Sequence, residues 1–132
     1  MRLKQGEGEL QSGKAILKEF IVAGKDSKQL LEGDEGMLYL TNRRLVMEKE
    51  VRPGEATLIF EFPLEALQNA ETKGIFGKVL HLEANLSQMN TGSKEKKPEL
   101  KEGFGRFSIK VKDPKTWAGQ LSRAIRSRKE ER

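Results

Sequence analysis

The sequence predicts a mainly β domain, with about seven short antiparallel strands capped by one C-terminal amphipathic helix. Three observations carry this. Short apolar runs alternate at period two, most cleanly at Arg106 to Lys112. There Phe107, Ile109 and Val111 face one way, and Arg106, Ser108, Lys110 and Lys112 the other. Turn residues separate the runs, as in Thr41-Asn42-Arg43 and Pro53-Gly54-Glu55. After Asp113-Pro114 the period changes, and Trp117, Leu121, Ala124 and Ile125 form one helical stripe.

Each element follows in order. Residues 1–13 hold three glycines and few apolar side chains, and read as a lead-in with at most a short edge strand. Lys14 to Val22 reads as a strand whose broken alternation calls for a bulge or burial on both faces. Met37 to Leu40 and Arg44 to Lys49 form a hairpin, with Asn42 suited to a left-handed turn. Thr57 to Phe62 follows, with Leu58, Phe60 and Phe62 on one face and Thr57, Ile59 and Glu61 on the other. Pro63 ends it, because proline cannot donate to a ladder. Leu64 to Asn69 is expected to be a helical turn leading into a short strand. Lys78 to Leu86 is a strand with Leu80, Leu82 and Ala84 inward and His81 toward solvent. Residues 87–103 are polar and read as a long mobile loop. Asp113 is placed as the helix N-cap and Pro114 at the first helical position. The helix is expected to fray over Arg126 to Arg132, and the domain is assigned to residues 14–126 with a charged tail at 127–132.

Composition narrows the function classes. The chain has 132 residues, with 25 Lys or Arg against 20 Asp or Glu and a net charge of +5. That length suits one domain. No apolar run approaches the roughly 18 residues of a membrane-spanning helix. The N-terminus lacks the apolar stretch of a signal peptide, so a cytoplasmic location is expected. The absence of cysteine excludes disulfides, thiolate metal sites and cysteine nucleophiles. The charge excess is densest in residues 113–132, where six basic side chains meet three acidic ones. Elsewhere the two signs are interspersed, as on an ordinary solvated surface.

The hairpin motif Gly36 to Met47 (GMLYLTNRRLVM) carries a family resemblance. Gly36, Leu38, Leu40, Thr41, Asn42, Arg44, Leu45 and Val46 fit a Gly-x-Leu-x-Leu-Thr-Asn strand followed by Arg-Leu and apolar residues. Phe62-Pro63-Leu64, the glycine-bounded Lys73 to Lys78 turn and the Trp-bearing helix follow in the expected order. The sequence resembles the pleckstrin-homology-like superfamily, in its GRAM-type and bacterial or archaeal branch, over residues 14–126. The resemblance implies a PH-like split barrel and a non-catalytic binding module. Phosphoinositide-binding members place basic residues in the first two strands and their loop. Lys14, Lys18, Lys25 and Lys28 fit, but Met37 to Leu40 carries none, so specific phosphoinositide binding is not expected.

Candidate sites follow from charge and exposure. Ile75 and Phe76 sit between glycines and are flanked by Lys73 and Lys78, an arrangement suited to an anionic membrane interface or a partner's groove. Folding back to close the barrel end is the commoner fate of such a pair. Arg106, Lys110 and Lys112 extend a basic patch, and Arg123 and Arg126 offer further cations on the helix. Glu130 and Glu131 dilute that cluster and aromatics are scarce, so nucleic acid is an unlikely partner. A lone histidine makes no metal site. No catalytic dyad or cofactor motif is found; the Gly-Lys pair at 77–78 lacks the phosphate-loop context. The leading expectation is peripheral binding to anionic lipid, and the alternative is a protein-interaction or self-association module.

Overall fold

The computed structural model describes residues 1–74, 78–93 and 96–130. Eight antiparallel strands precede one helix: β1 (Glu9–Val22), β2 (Lys25–Asp26), β3 (Glu35–Thr41), β4 (Arg44–Arg52), β5 (Glu55–Pro63), β6 (Leu67–Lys73), β7 (Val79–Asn85), β8 (Phe104–Val111) and α1 (Pro114–Glu130). They form one sheet in the order β5-β4-β3-β1-β8-β7-β6, with the two-residue β2 attached to β1. The chain crosses from β5 at one end of this path to β6 at the other through a 3-10 turn, Leu64–Ala66. β5 and β6 are not paired along the path, so the barrel is split.

β1 is the hinge of the sheet. It pairs with β3 over Glu9 to Ile16 and with β8 over Ala15 to Val22, with register shifts at Glu9/Gln11 and Leu17/Glu19. These are the irregularities its broken alternation called for, and they let one long strand serve both halves of the barrel. Strand structure also begins at Glu9, inside the segment expected to be a lead-in.

Aromatic packing fills the interior. Phe20 stacks on Phe107 at 4.6 Å between ring centroids, and Phe60 and Phe62 lie 5.2 and 5.4 Å from Phe107. The helix lays Trp117, Leu121, Ala124 and Ile125 on this core, the stripe its periodicity specified. Ser122 Oγ donates to the Ala70 carbonyl of β6 at 3.2 Å, and Arg128 pairs with Glu65 beyond β5. The helix continues through Glu130 and does not fray from Arg126.

Four local expectations are corrected. Ile59 joins Phe60 and Phe62 in the core instead of taking the opposite face, because the register of β4 and β5 slips between Met47 and Glu48. His81 is buried at 6% exposure. Its strand lies between β6 and β8, where His81 stands opposite Glu71 on one side and Ser108 on the other. Within residues 87–103, Met89 and Leu100 join the core, and the Asn90 backbone exchanges two hydrogen bonds with Glu61. Asn42 does not adopt a left-handed conformation. Its carboxamide instead accepts from Gly8 N–H at 2.8 Å and donates to the Gly6 carbonyl at 3.3 Å, tying the N-terminal arm to the hairpin.

Candidate functional site

Two features arise where β1 meets its neighbours, and they have opposite electrostatics. The first is built on the hairpin motif. Thr41 Oγ accepts from the N–H groups of Arg43 and Arg44, both at 3.0 Å, and donates to Glu7 Oε2 at 2.7 Å. Arg44 donates Nε to Glu7 Oε2 at 2.7 Å and Nη2 to Glu7 Oε1 at 3.0 Å, and its Nη1 pairs with Glu61. Burial alone raises the Glu7 carboxyl, but the Arg44 guanidinium with the Lys4 N–H and Thr41 hydroxyl overcomes it and holds the pKa at about 2. The same carboxylates hold Arg44 further up than an ordinary guanidinium. An Arg gripped by two carboxylates has little positive charge left for a ligand, so this network fastens residues 2–8 to the barrel.

The second feature is a groove of about 540 Å³ between β1 and the corner where β8 becomes α1. β8 pairs with β1 only as far as Ala15 opposite Val111. The chain then enters the helix through Asp113, whose φ of 57° is left-handed. Its carbonyl accepts from Trp117 N–H at 3.2 Å. Trp117 closes the floor of the groove at 2% exposure. Gly13 lies beside it, and a Cβ there would meet Trp117 Cζ2 at 3.9 Å, an ordinary van der Waals contact. Gln11 also lines the groove, and its Oε1 is buried without a hydrogen-bond partner.

Charge surrounds this apolar floor. Lys14, Lys110 and Lys112 line the groove and are exposed. Among the described residues none of the three forms an ion pair. The other predicted cations are placed differently. Lys73 ends β6 and lies 3.6 Å from Glu71. Arg106 Nε lies 3.9 Å from Glu83 on the outer sheet face. Lys78 is exposed immediately before β7. Arg123 and Arg126 are exposed on α1, and Arg126 faces a separate shallow hollow with Gln68 and Lys129. Nine residues of helix, roughly 13 Å, separate Arg126 from Trp117. Ile75 and Phe76 lie outside the described residues.

The structure thus gathers Lys110 and Lys112 with Lys14 and Trp117, and it leaves the helix arginines apart. Lys14 was visible in the sequence as a first-strand cation. Gln11 carried no signal there, because nothing local marks a polar side chain that loses its partner when a neighbouring strand ends. His81 sits on the outer face among Lys73, Glu71, Glu83 and Arg106. Burial, reinforced by the charge of Lys73, pushes its imidazole down from the usual value. Among the described residues no cluster of three His, Asp or Glu side chains is arranged to hold a metal ion, and no helix is long and apolar enough to cross a membrane.

No family model matches the sequence, and no curated protein matches it. Among solved structures, the chain is similar to the PDZ-RhoGEF DH/PH domains in their complex with GTP-γ-S-activated RhoA, with a TM-score of 0.56. The likeness covers 92% of this chain and 30% of that one, at 11% identity. The fold is a pleckstrin-homology-like split barrel. At that identity the likeness speaks to the fold alone, and this PH-like barrel spans less than a third of the solved chain's length.

Proposed function

We propose that this chain is a GRAM-type, PH-like binding module without catalytic activity, and that its ligand is an acidic protein segment held in the groove at the β8–α1 corner. One observation carries the reading: three lysines that have no ion-pair partner among the described residues surround a concave apolar floor made by Trp117 and Val111. Unpaired cations around a recess select a negatively charged ligand, and an apolar floor rewards one that brings apolar side chains. A flat bilayer would meet the lysine tips and leave the floor empty.

The second reading is peripheral contact with an anionic lipid surface, in the cytoplasm. It is favoured by the exposed Lys73 and Lys78 on either side of the β6–β7 connection.

Titration of the single tryptophan's fluorescence with an acidic peptide tests the first reading. Saturable binding that is lost in a Lys14→Glu, Lys110→Glu, Lys112→Glu variant supports it. Sedimentation with phosphatidylglycerol vesicles but no response to the peptide would replace it with the second.

A further inference from the structure

The geometry points to strand addition: an acidic segment pairs with the free edge of β1, in line with β8. This rests on the groove reading above and specifies how the ligand is held.

The backbone provides the first argument. Over Glu9 to Lys14, β1 has β3 on one edge, while β8 joins the other edge only from Ala15 onward. An extended strand offers N–H and C=O groups on both edges, so over these six residues β1 presents one row that no strand among the described residues uses. That row spans about 20 Å, the length of an ordinary strand. The volume beside it is the groove, so an incoming strand has space where β8 leaves off. Gln11 lines the same groove, and its Oε1 is buried beneath it without a hydrogen-bond partner.

Side-chain parity provides the second argument. Along β8 the buried residues are Phe107, Ile109 and Val111, while Lys110 and Lys112 point out. Lys14 is likewise exposed on β1, between the half-buried Gly13 and the buried Ala15. All three lysines therefore stand on the outer side of the sheet, and Trp117 lies on the inner side. A strand added between them alternates at period two. Its outward residues meet lysines, and its inward residues meet indole and glycine. The favoured ligand is an extended segment alternating acidic and apolar residues, which joins main-chain hydrogen bonds to side-chain selection.

The test uses the full chain and three peptides: an acetylated, amidated hexapeptide alternating Glu and Val; the same peptide N-methylated at every second amide; and its Lys-for-Glu counterpart. Trp117 fluorescence is the readout. Strand addition predicts that the Glu peptide binds, that N-methylation on the paired edge weakens it at least tenfold, and that the Lys peptide does not bind. Lys110→Glu with Lys112→Glu, two exposed positions, should weaken the Glu peptide by a similar factor without altering the circular dichroism. Equal binding of the methylated and parent peptides on both methylation registers overturns strand addition and leaves the acidic-ligand reading standing. No binding of either peptide overturns both. A dimer by sedimentation equilibrium that the Glu peptide does not dissociate also overturns it, because a second copy then occupies the edge.

Discussion

Neutralising Glu7 tests the most concentrated electrostatic feature of this barrel. Its carboxylate joins Arg44, Thr41 and Lys4, and it holds the arm that leads into β1. Lowering its pKa from 4.5 to about 2 corresponds to about 3 kcal/mol of folding free energy. Glu7→Gln keeps the size and one acceptor but removes the charge, so we expect a loss of about 2–3 kcal/mol at pH 7. That is a large part of the roughly 5–15 kcal/mol typical of a domain, yet small enough to leave it folded.

The direction with pH follows from linkage. A carboxyl whose native pKa is depressed contributes fully above its unfolded value and loses that contribution as pH falls through the native value. Urea unfolding of the wild type and Glu7→Gln, followed by Trp117 fluorescence, should show a constant gap from pH 7 to 5. The gap should close between about pH 4.5 and 2. A gap below about 0.5 kcal/mol at pH 7 would refute the reasoning, since that is the range of an exposed ion pair. A gap unchanged at pH 3 would do so equally.

Two further outcomes follow from packing and burial. A Cβ on Gly36 would lie 2.0 Å from the Glu48 carbonyl oxygen, so Gly36→Ala must push β4 away and should cost about 1–3 kcal/mol. Gly8→Ala, with open space around it, serves as the control in the same urea series, and equal midpoints for the two would count against the contact. The single histidine allows a direct titration by proton NMR. We expect the His81 imidazole to titrate below its ordinary 6.5, and burial then destabilises the fold as pH falls below that value. A midpoint above 6.5 would show that Glu71 and Glu83 outweigh burial and Lys73.

Much of the barrel was legible from local pattern. The alternation of β8 and the stripe Trp117, Leu121, Ala124 and Ile125 each report a single buried face, and a single face leaves a clean period. Ile59 and His81 were misplaced because their environment comes from other strands. A register slip against β4 brought Ile59 into the core, and His81 lies on a strand flanked by β6 and β8. The lead-in was underestimated for a related reason. Its strand at Glu9 is held by β3, and its arm by Asn42 and Arg44, all more than thirty residues away.

The candidate site divides along the same line. Lys110 and Lys112 were identifiable because outward charges on an alternating strand are visible in one segment. Their grouping with Lys14, Gln11 and Trp117 was not, because it requires β8 to stop at Val111, opposite Ala15, while β1 extends on to Glu9.

By itself, the sequence determined which faces are apolar, where turns interrupt them and where a helix replaces a strand, since these depend on neighbours within a few residues. Tertiary structure alone decided which strand edge, and which cations, have no partner among the described residues. Those properties belong to residues far apart in the chain, and they are set by where one strand ends relative to another.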